Sequence, residues 1–328
     1  MPSMRCRPLV AVLAAALALL VAGSGFLVAQ QAAASRQTVS LATATPGGGF
    51  PVYGEAFAAT VNEFAPSLEV RCRNTKGSTE NVPLLKAGQV DIALVQGEVV
   101  QEALTGDDRQ PSGLKIITAM YSAAGMFVVR ADSPYHTIRD LVGKPVAFGA
   151  SGSGLVILSR YVLDGIGLDQ DRDFKAIYLD RAGDGPAMVA DGRAAALWGG
   201  GLGWPGFLAV AKSQPGARFI APDAREMASI LVKHPFLRRL TVPAGSFPGQ
   251  GAAIESVGSW SFVLARPDLP DEIAYLIARA LHRGEAAMAA RLPQAGETTS
   301  ANTVAAAPSR ESIHPGVLRY LREIGLLK

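Results

Sequence analysis

Cysteine is almost missing from this chain, with Cys6 and Cys72 the only two among 328 residues. Neither a disulfide framework nor a cysteine-rich metal site can be assembled from them. Histidine is nearly as scarce. His136, His234, His282 and His314 are too far apart for a local metal motif, and each reads as a surface or core residue. Charge is sparse and evenly divided, 31 Lys and Arg against 28 Asp and Glu, for a formal net charge of +3. A protein that draws its affinity from the phosphates of a duplex needs a far more basic balance, which speaks against nucleic acid as a partner. What the chain does have is apolar content, 49% of residues, with 35 glycines that follow no three-residue period and 21 prolines. Collagen-like, coiled-coil and disordered architectures are thereby excluded, and a real core is expected. The length suits one large domain or two modest ones.

One long apolar run occurs, and it lies at the start. Arg5 and Arg7 precede an unbroken stretch from Leu9 to Ala22, and Ala32-Ala33-Ala34 then offers a small-residue cleavage site before Ser35. This order reads as a secretory signal peptide over residues 1–34, the alternative being an uncleaved membrane anchor. Cleavage leaves 29 basic against 28 acidic residues. Cys6 precedes the apolar core, so a lipid-modified cysteine is not supported. The working part is expected to be exported.

Beyond residue 37 short β-rich runs alternate with helical stretches. Strands are expected at Thr38–Thr43, Val90–Gln96, Lys115–Tyr121, Phe127–Ala131, Pro145–Gly149, Phe174–Leu179 and Ala194–Trp198, and helices after Gly49, over Leu155–Leu163, near Gly185–Ala190 and over Asp271–Arg291. Runs that are apolar at every position suit parallel strands buried on both faces. Regular alternation of strand and helix argues for an α/β fold with mainly parallel sheets. A glycine-rich turn between strand and helix occurs twice, near residues 47 and 152, which favours two similar lobes over one large sheet.

Three such turns are chemically suggestive: Ala44–Phe50, Asn74–Asn81 and Gly149–Gly154. A turn that opens a helix presents free backbone N–H groups and the positive end of the helix dipole to a carboxylate or phosphate. Each reads equally as a tight turn with a satisfied cap, with Ser78 or Ser153 as the capping residue. Enzyme signatures fall away on inspection. Ser151 lacks the closing glycine of a nucleophile elbow. No phosphate-loop motif of the GxxxxGK[ST] kind is present. The run Gly201–Gly206 matches G-x-G-x-x-G without the strand, helix and acidic residue that give that pattern meaning.

The segment Thr75-Lys76-Gly77-Ser78, Glu80-Asn81, Leu84-Leu85, Gly88, Asp91-Ile92-Ala93 and Val95-Gln96 resembles the STGGSVENL…LAxGxADLAxVQ block of the TAXI family, the solute-binding proteins of tripartite ATP-independent periplasmic (TRAP) transporters. The likeness continues through Val128–Ser133, Asp140–Gly154, Val242–Gln250, Ala265–Leu281 and His314–Leu327, five further blocks in the family's order. The resemblance implies a two-lobed periplasmic binding protein of the type II-like kind, each lobe a mainly parallel sheet flanked by helices, with the hinge crossed twice. It implies a receptor, not an enzyme, that takes a small carboxylate such as glutamate, glutamine or 2-oxoglutarate, uses no cofactor or metal, and delivers its solute to integral-membrane TRAP permease subunits. Lobe one is expected at residues 35–139 with 257–328, and lobe two at 140–256.

Carried over by position, the resemblance places the ligand against Gly48, Gly49 and Phe50, with Tyr53 as an aromatic wall. Thr75, Lys76, Gly77, Ser78 and Asn81 follow from the second turn, and Gln96 from a strand end. Ser151, Gly152, Ser153 and Gly154 come from lobe two. Trp198 and Trp204 read either as a lid or as core residues. Lys76 stands where the family usually has glycine, adding a cation that favours a more anionic solute than glutamine. Leu155 replaces a common threonine, Pro83 enters the first turns of a helix, and Tyr121–Ala124 lacks the family's proline and acidic residue. Two other functions share these features: an ABC-type receptor for a sulfonate or pyrimidine precursor, and an exported hydrolase built on the serine-rich turn.

Overall fold

The structure, a computed structural model, describes residues 36–105 and 112–328. The expected signal segment lies outside the described residues. In chain order the elements are β1 (Gln37–Ala42), α1 (Gly49–Phe64), β2 (Leu68–Arg73), α2 (Ser78–Lys86), β3 (Ile92–Val95), α3 (Gly97–Thr105), β4 (Lys115–Arg130), β5 (Pro145–Ala150), α4 (Gly154–Gly165), β6 (Lys175–Leu179), α5 (Gly185–Ala190), β7 (Ala196–Gly200), α6 (Pro205–Lys212), β8 (Ala217–Ile220), α7 (Ala224–Lys233), β9 (Arg238–Val242), β10 (Ile254–Ala265), α8 (Asp271–Arg283), α9 (Glu285–Arg291), α10 (Ser300–Ala306) and α11 (Pro315–Glu323).

The strands follow the order β2-β1-β3-β10-β4-β7-β5-β6, with β9 paired to β10 and β8 to β4. Within each lobe the strands joined through helices are parallel, β1 with β3 and β5 with both β6 and β7. The two long strands β4 and β10 run against them and against each other. Between Lys115 and Ala124, β4 pairs with β10 in the first lobe; from Gly125 to Arg130 it pairs with β7 and β8 in the second. The chain thus passes out of the first lobe in β4 and returns in β10.

Burial on both faces explains the apolar runs. In β3, Ile92 and Leu94 enter the core beneath α1 and α8, while Ala93 and Val95 enter the one beneath α2 and α3. In β7, Ala196 and Trp198 face one core of lobe two and Leu197 the other. Successive side chains leave opposite faces of a strand, so a strand covered on both sides is apolar throughout.

Two expectations are corrected. The strands expected at Lys115–Tyr121 and Phe127–Ala131 are one continuous strand. The small residues between them have weak strand preference, but Ala123 and Ala124 pair with Ser259 and Gly258, and Gly125 with Gly200, so neighbours on both sides override propensity. The helix expected over Asp271–Arg291 divides at Gly284, which packs so closely on α1 that a β-carbon there would lie 2.5 Å from Thr60 Cγ2.

Candidate functional site

Three helices of ordinary length begin at one place. Gly48 precedes α1, Gly77 precedes α2 and Ser153 precedes α4, and all three residues line a cleft of about 570 Å³, mouth included. The amino ends of α1 and α2 receive no side-chain cap, whereas Ser153 accepts from the Leu155 amide at 3.2 Å. The first-turn amides of Gly49, Phe50, Ser78 and Gly154 have no acceptor inside their own helices, because no carbonyl lies one turn before them. The cleft therefore gathers partial positive charge without a cluster of basic side chains.

The two halves touch at its ends. Thr79 donates to the Gly152 carbonyl from its backbone (3.3 Å) and its hydroxyl (3.1 Å), and the Ala182 amide donates to Thr45 Oγ1 at 3.2 Å. Glycine is required at these contacts. Gly77 has φ +117°, and a β-carbon on it would lie 2.8 Å from the Gly152 carbonyl oxygen; one on Gly154 would collide with Gln96 Cβ.

Of the residues expected from sequence, Gly48, Gly49, Phe50, Lys76, Gly77, Ser78, Gln96, Ser153 and Gly154 line this cleft. Gln96 is 2% exposed. Its Oε1 accepts from Ser261 Oγ at 3.1 Å, its backbone amide donates to Ser78 Oγ at 3.0 Å, and its Nε2 has no hydrogen-bond partner. A buried donor of this kind costs stability unless a ligand or water answers it. Lys76, exposed at the rim, is the one charged residue on the wall among the described residues.

Six expected residues lie elsewhere. Asn81 is fully buried and donates to the carbonyls of Thr43 and Leu94, both at 2.8 Å, so it ties the turn after β1 to β3. Thr75 Oγ1 sits 2.7 Å from Asn81 Oδ1 in the same network. Gly152 offers its carbonyl to Thr79 across the cleft rather than an N–H to a ligand. Ser151 is exposed outside the cleft, its amide donating to Leu179 at the sheet edge. Trp198 is a core residue, fully buried edge-on to Phe127, with Nε1 donating to the Leu155 carbonyl at 2.8 Å. Tyr53 is also fully buried; its hydroxyl lies 3.1 Å from Thr298 Oγ1 and its ring 5.5 Å from that of Tyr121, so it backs a cleft residue without lining the cleft.

Ala44, Thr45, Gly149 and Ala150, within turns singled out from sequence, line it as well; sequence reasoning did not place Tyr121, Leu155, Ala182 and Gly200 there, and left Trp204 between lid and core. Trp204 does line it, at the start of α6. Tyr121 stands inside β4, and burial pushes its hydroxyl pKa up, with smaller upward contributions from Tyr53 and Glu297, so it remains a neutral donor. No local motif marks it, since only the pairing of β4 brings it beneath α1.

Glu98, two residues past Gln96, turns away from the cleft wall and is fully buried at the junction of the lobes. Ser259 Oγ donates to its Oε1 at 2.6 Å, its Oε2 has no partner, and burial pushes its pKa up to about 7.

Among known proteins, the family described as the NMT1-like family matches residues 41–325. A solved structure described as a periplasmic transporter superposes at TM-score 0.54 and 12% identity, over 81% of this chain and 89% of that one; this likeness bears on the fold. A TctC solute-binding protein from Polaromonas gives TM-score 0.47 at 17% identity, over 89% and 99% of the two chains. A putative sulfonate ABC transporter's periplasmic sulfonate-binding protein from Methylobacillus flagellatus gives 0.44 at 15% identity, over 77% and 69%.

Proposed function

The chain belongs to the NMT1-like family, and from that premise we propose that it is an extracytoplasmic solute-binding receptor, which captures a small carboxylate between its lobes and hands it to the membrane permease of a TRAP transporter. One observation carries this reading: three helix amino ends meet in a single cleft whose only charged wall residue, among the described residues, is a lysine. The sequence blocks shared with the TAXI family support the choice of permease, and the leader-like residues 1–34 support a periplasmic location. The proposed lobes are residues 35–139 with 257–328 and residues 140–256, and the change of partners within β4 and β10 marks where they flex. Lys76, at the rim, adds attraction for a second negative charge.

Binding without chemistry accords with the side chains present. Ser153 Oγ is committed to the Leu155 amide, Ser151 is outside the cleft, and among the described residues no histidine, cysteine, aspartate or glutamate lines it. A serine nucleophile would need a proton acceptor there. Affinity is accounted for without a metal. A micromolar complex requires about 8 kcal/mol, and each charge-assisted hydrogen bond contributes roughly 1.5–3 kcal/mol.

The test is a thermal-shift screen of small carboxylates combined with small-angle scattering. A true ligand at a hundred times its Kd stabilises the folded state by about 2.7 kcal/mol and shrinks the radius of gyration as the lobes close. Stabilisation without compaction removes the closing mechanism. No response to any carboxylate removes the ligand class.

A further inference from the structure

The cleft is rich in neutral donors and poor in anionic acceptors. Besides Gln96 Nε2, two more donors belong to residues that line it, Tyr121 Oη and Trp204 Nε1, and each of these residues is only 4% exposed. They meet at the amino end of α1. A β-carbon on Gly49 would lie 3.4 Å from Tyr121 Oη and 3.9 Å from Trp204 Nε1. Opposite them no carboxylate lines the wall among the described residues. Two acids beside lining residues are occupied: Glu297 accepts from the Ser122 amide and hydroxyl at 2.9 Å each, and Glu80 accepts from the Lys76 amide at 2.6 Å.

An α-amino acid brings both a carboxylate and an ammonium. The carboxylate suits this wall, but a buried ammonium needs an anionic partner, and a desolvated cation without one is among the costliest groups to bury. Helix amino ends add repulsion to that cost. We infer that the cleft takes a carboxylate with no amino group, a 2-oxo, hydroxy or unsubstituted acid, and that Tyr121 and Trp204 enforce this choice by donating to its oxygens. The inference rests on the receptor function proposed above and narrows its solute class. Phe50, Leu155 and the ring face of Trp204 supply apolar surface for the rest of such an acid.

Isothermal titration with matched pairs that differ only in the amine is the test: glutamate and 2-oxoglutarate, phenylalanine and phenylpyruvate, leucine and 4-methyl-2-oxopentanoate, alanine and pyruvate. In every pair that binds, the 2-oxo acid is expected to bind at least about tenfold tighter, the low end of the cost of an unanswered buried charge. An amino acid that equals or beats its 2-oxo partner overturns the inference and leaves the receptor function standing; failure of all eight compounds overturns both. Tyr121→Phe keeps the ring and removes its donor; Trp204→Phe keeps an aromatic group, though a smaller one, and removes the indole donor. Each should weaken the best 2-oxo acid about fivefold or more, and the melting temperature of the free Tyr121→Phe protein should stay within about two degrees. Unchanged affinity in both variants removes these two residues from recognition, even if the preference for 2-oxo acids persists.

Discussion

The two walls of the cleft differ in kind. Lobe one brings two uncapped helix ends, the orphan amide of Gln96, the hydroxyl of Tyr121 and the cation of Lys76. Lobe two brings Gly149, Ala150, Gly154, Ala182 and Gly200, a serine already spent as a cap, and the indole of Trp204. On the proposed function, the first wall does most of the reading of the solute, and the second, apart from Trp204, covers it. Small residues on the second wall let it approach to van der Waals contact, excluding water so that the donors of the first act in a medium of low dielectric. On the proposed function, the difference implies an order of events: the acid docks on lobe one, and lobe two closes because the closed state adds contacts the open one lacks.

The sharpest way to break that division of labour is Gly154→Val. The new side chain meets Gln96 Cβ only when the lobes are shut, so binding of the best acid should fall by about a thousandfold, some 4 kcal/mol, and scattering should show no compaction, with the free protein still folded. Near-normal affinity would mean that closure is not needed. Asn81→Ala addresses a residue that supports lobe one's wall without touching the cleft: two carbonyls lose their donor, and urea unfolding should report a loss of about 2–4 kcal/mol.

Glu98, in lobe one but facing the joint, sharpens the comparison through pH. Its raised pKa means that the folded protein holds a proton which the unfolded chain releases near 4.5. The stability contributed by the protonated form is full below that pH and is lost as pH rises toward about 7, by at most about 3 kcal/mol. Denaturation midpoints of the wild type and Glu98→Gln, followed from pH 5 to 8, should therefore diverge, the variant losing less. Parallel curves would show that Glu98 ionises as freely folded as unfolded. Gln96→Leu should cost roughly twentyfold in acid affinity, the contribution of one charge-assisted bond. The smallest effect is expected on the covering wall, where Ser153→Ala removes a helix cap and should lower folding stability by about 1 kcal/mol.

Much of this was legible in the chain. Residues apolar at every position in β3, β5 and β7 announced doubly covered parallel strands, and glycine before a helix announced Gly48, Gly77 and Gly154 as cleft residues. The same cue misplaced Gly152 and Ser151, because a turn rich in small residues serves close approach between lobes as readily as it serves a ligand. Thr75 and Asn81 sit in the right turn, yet their polar atoms are consumed holding it, and sequence does not distinguish a donor for the solute from one for a neighbouring carbonyl. Tyr121 was unreachable for another reason, and Trp204 was left between lid and core for the same one. Their place depends on β4 running unbroken through two sheets and on the arrival of α6, contacts distant in the chain that no local spacing records.

That unbroken strand has a mechanical meaning. Residues 115–130 are held by hydrogen-bonded neighbours in both lobes, and at the crossing Ser256 Oγ of β10 donates to the Gly125 carbonyl of β4 at 2.6 Å. Alongside, Ile157 of α4 packs against lobe one's core and Tyr161 donates to Glu102 at 2.8 Å. Joined this way, the seam is built more like a leaf spring than a swivel: any gaping of the jaws must twist paired strands together, which favours a return to one register.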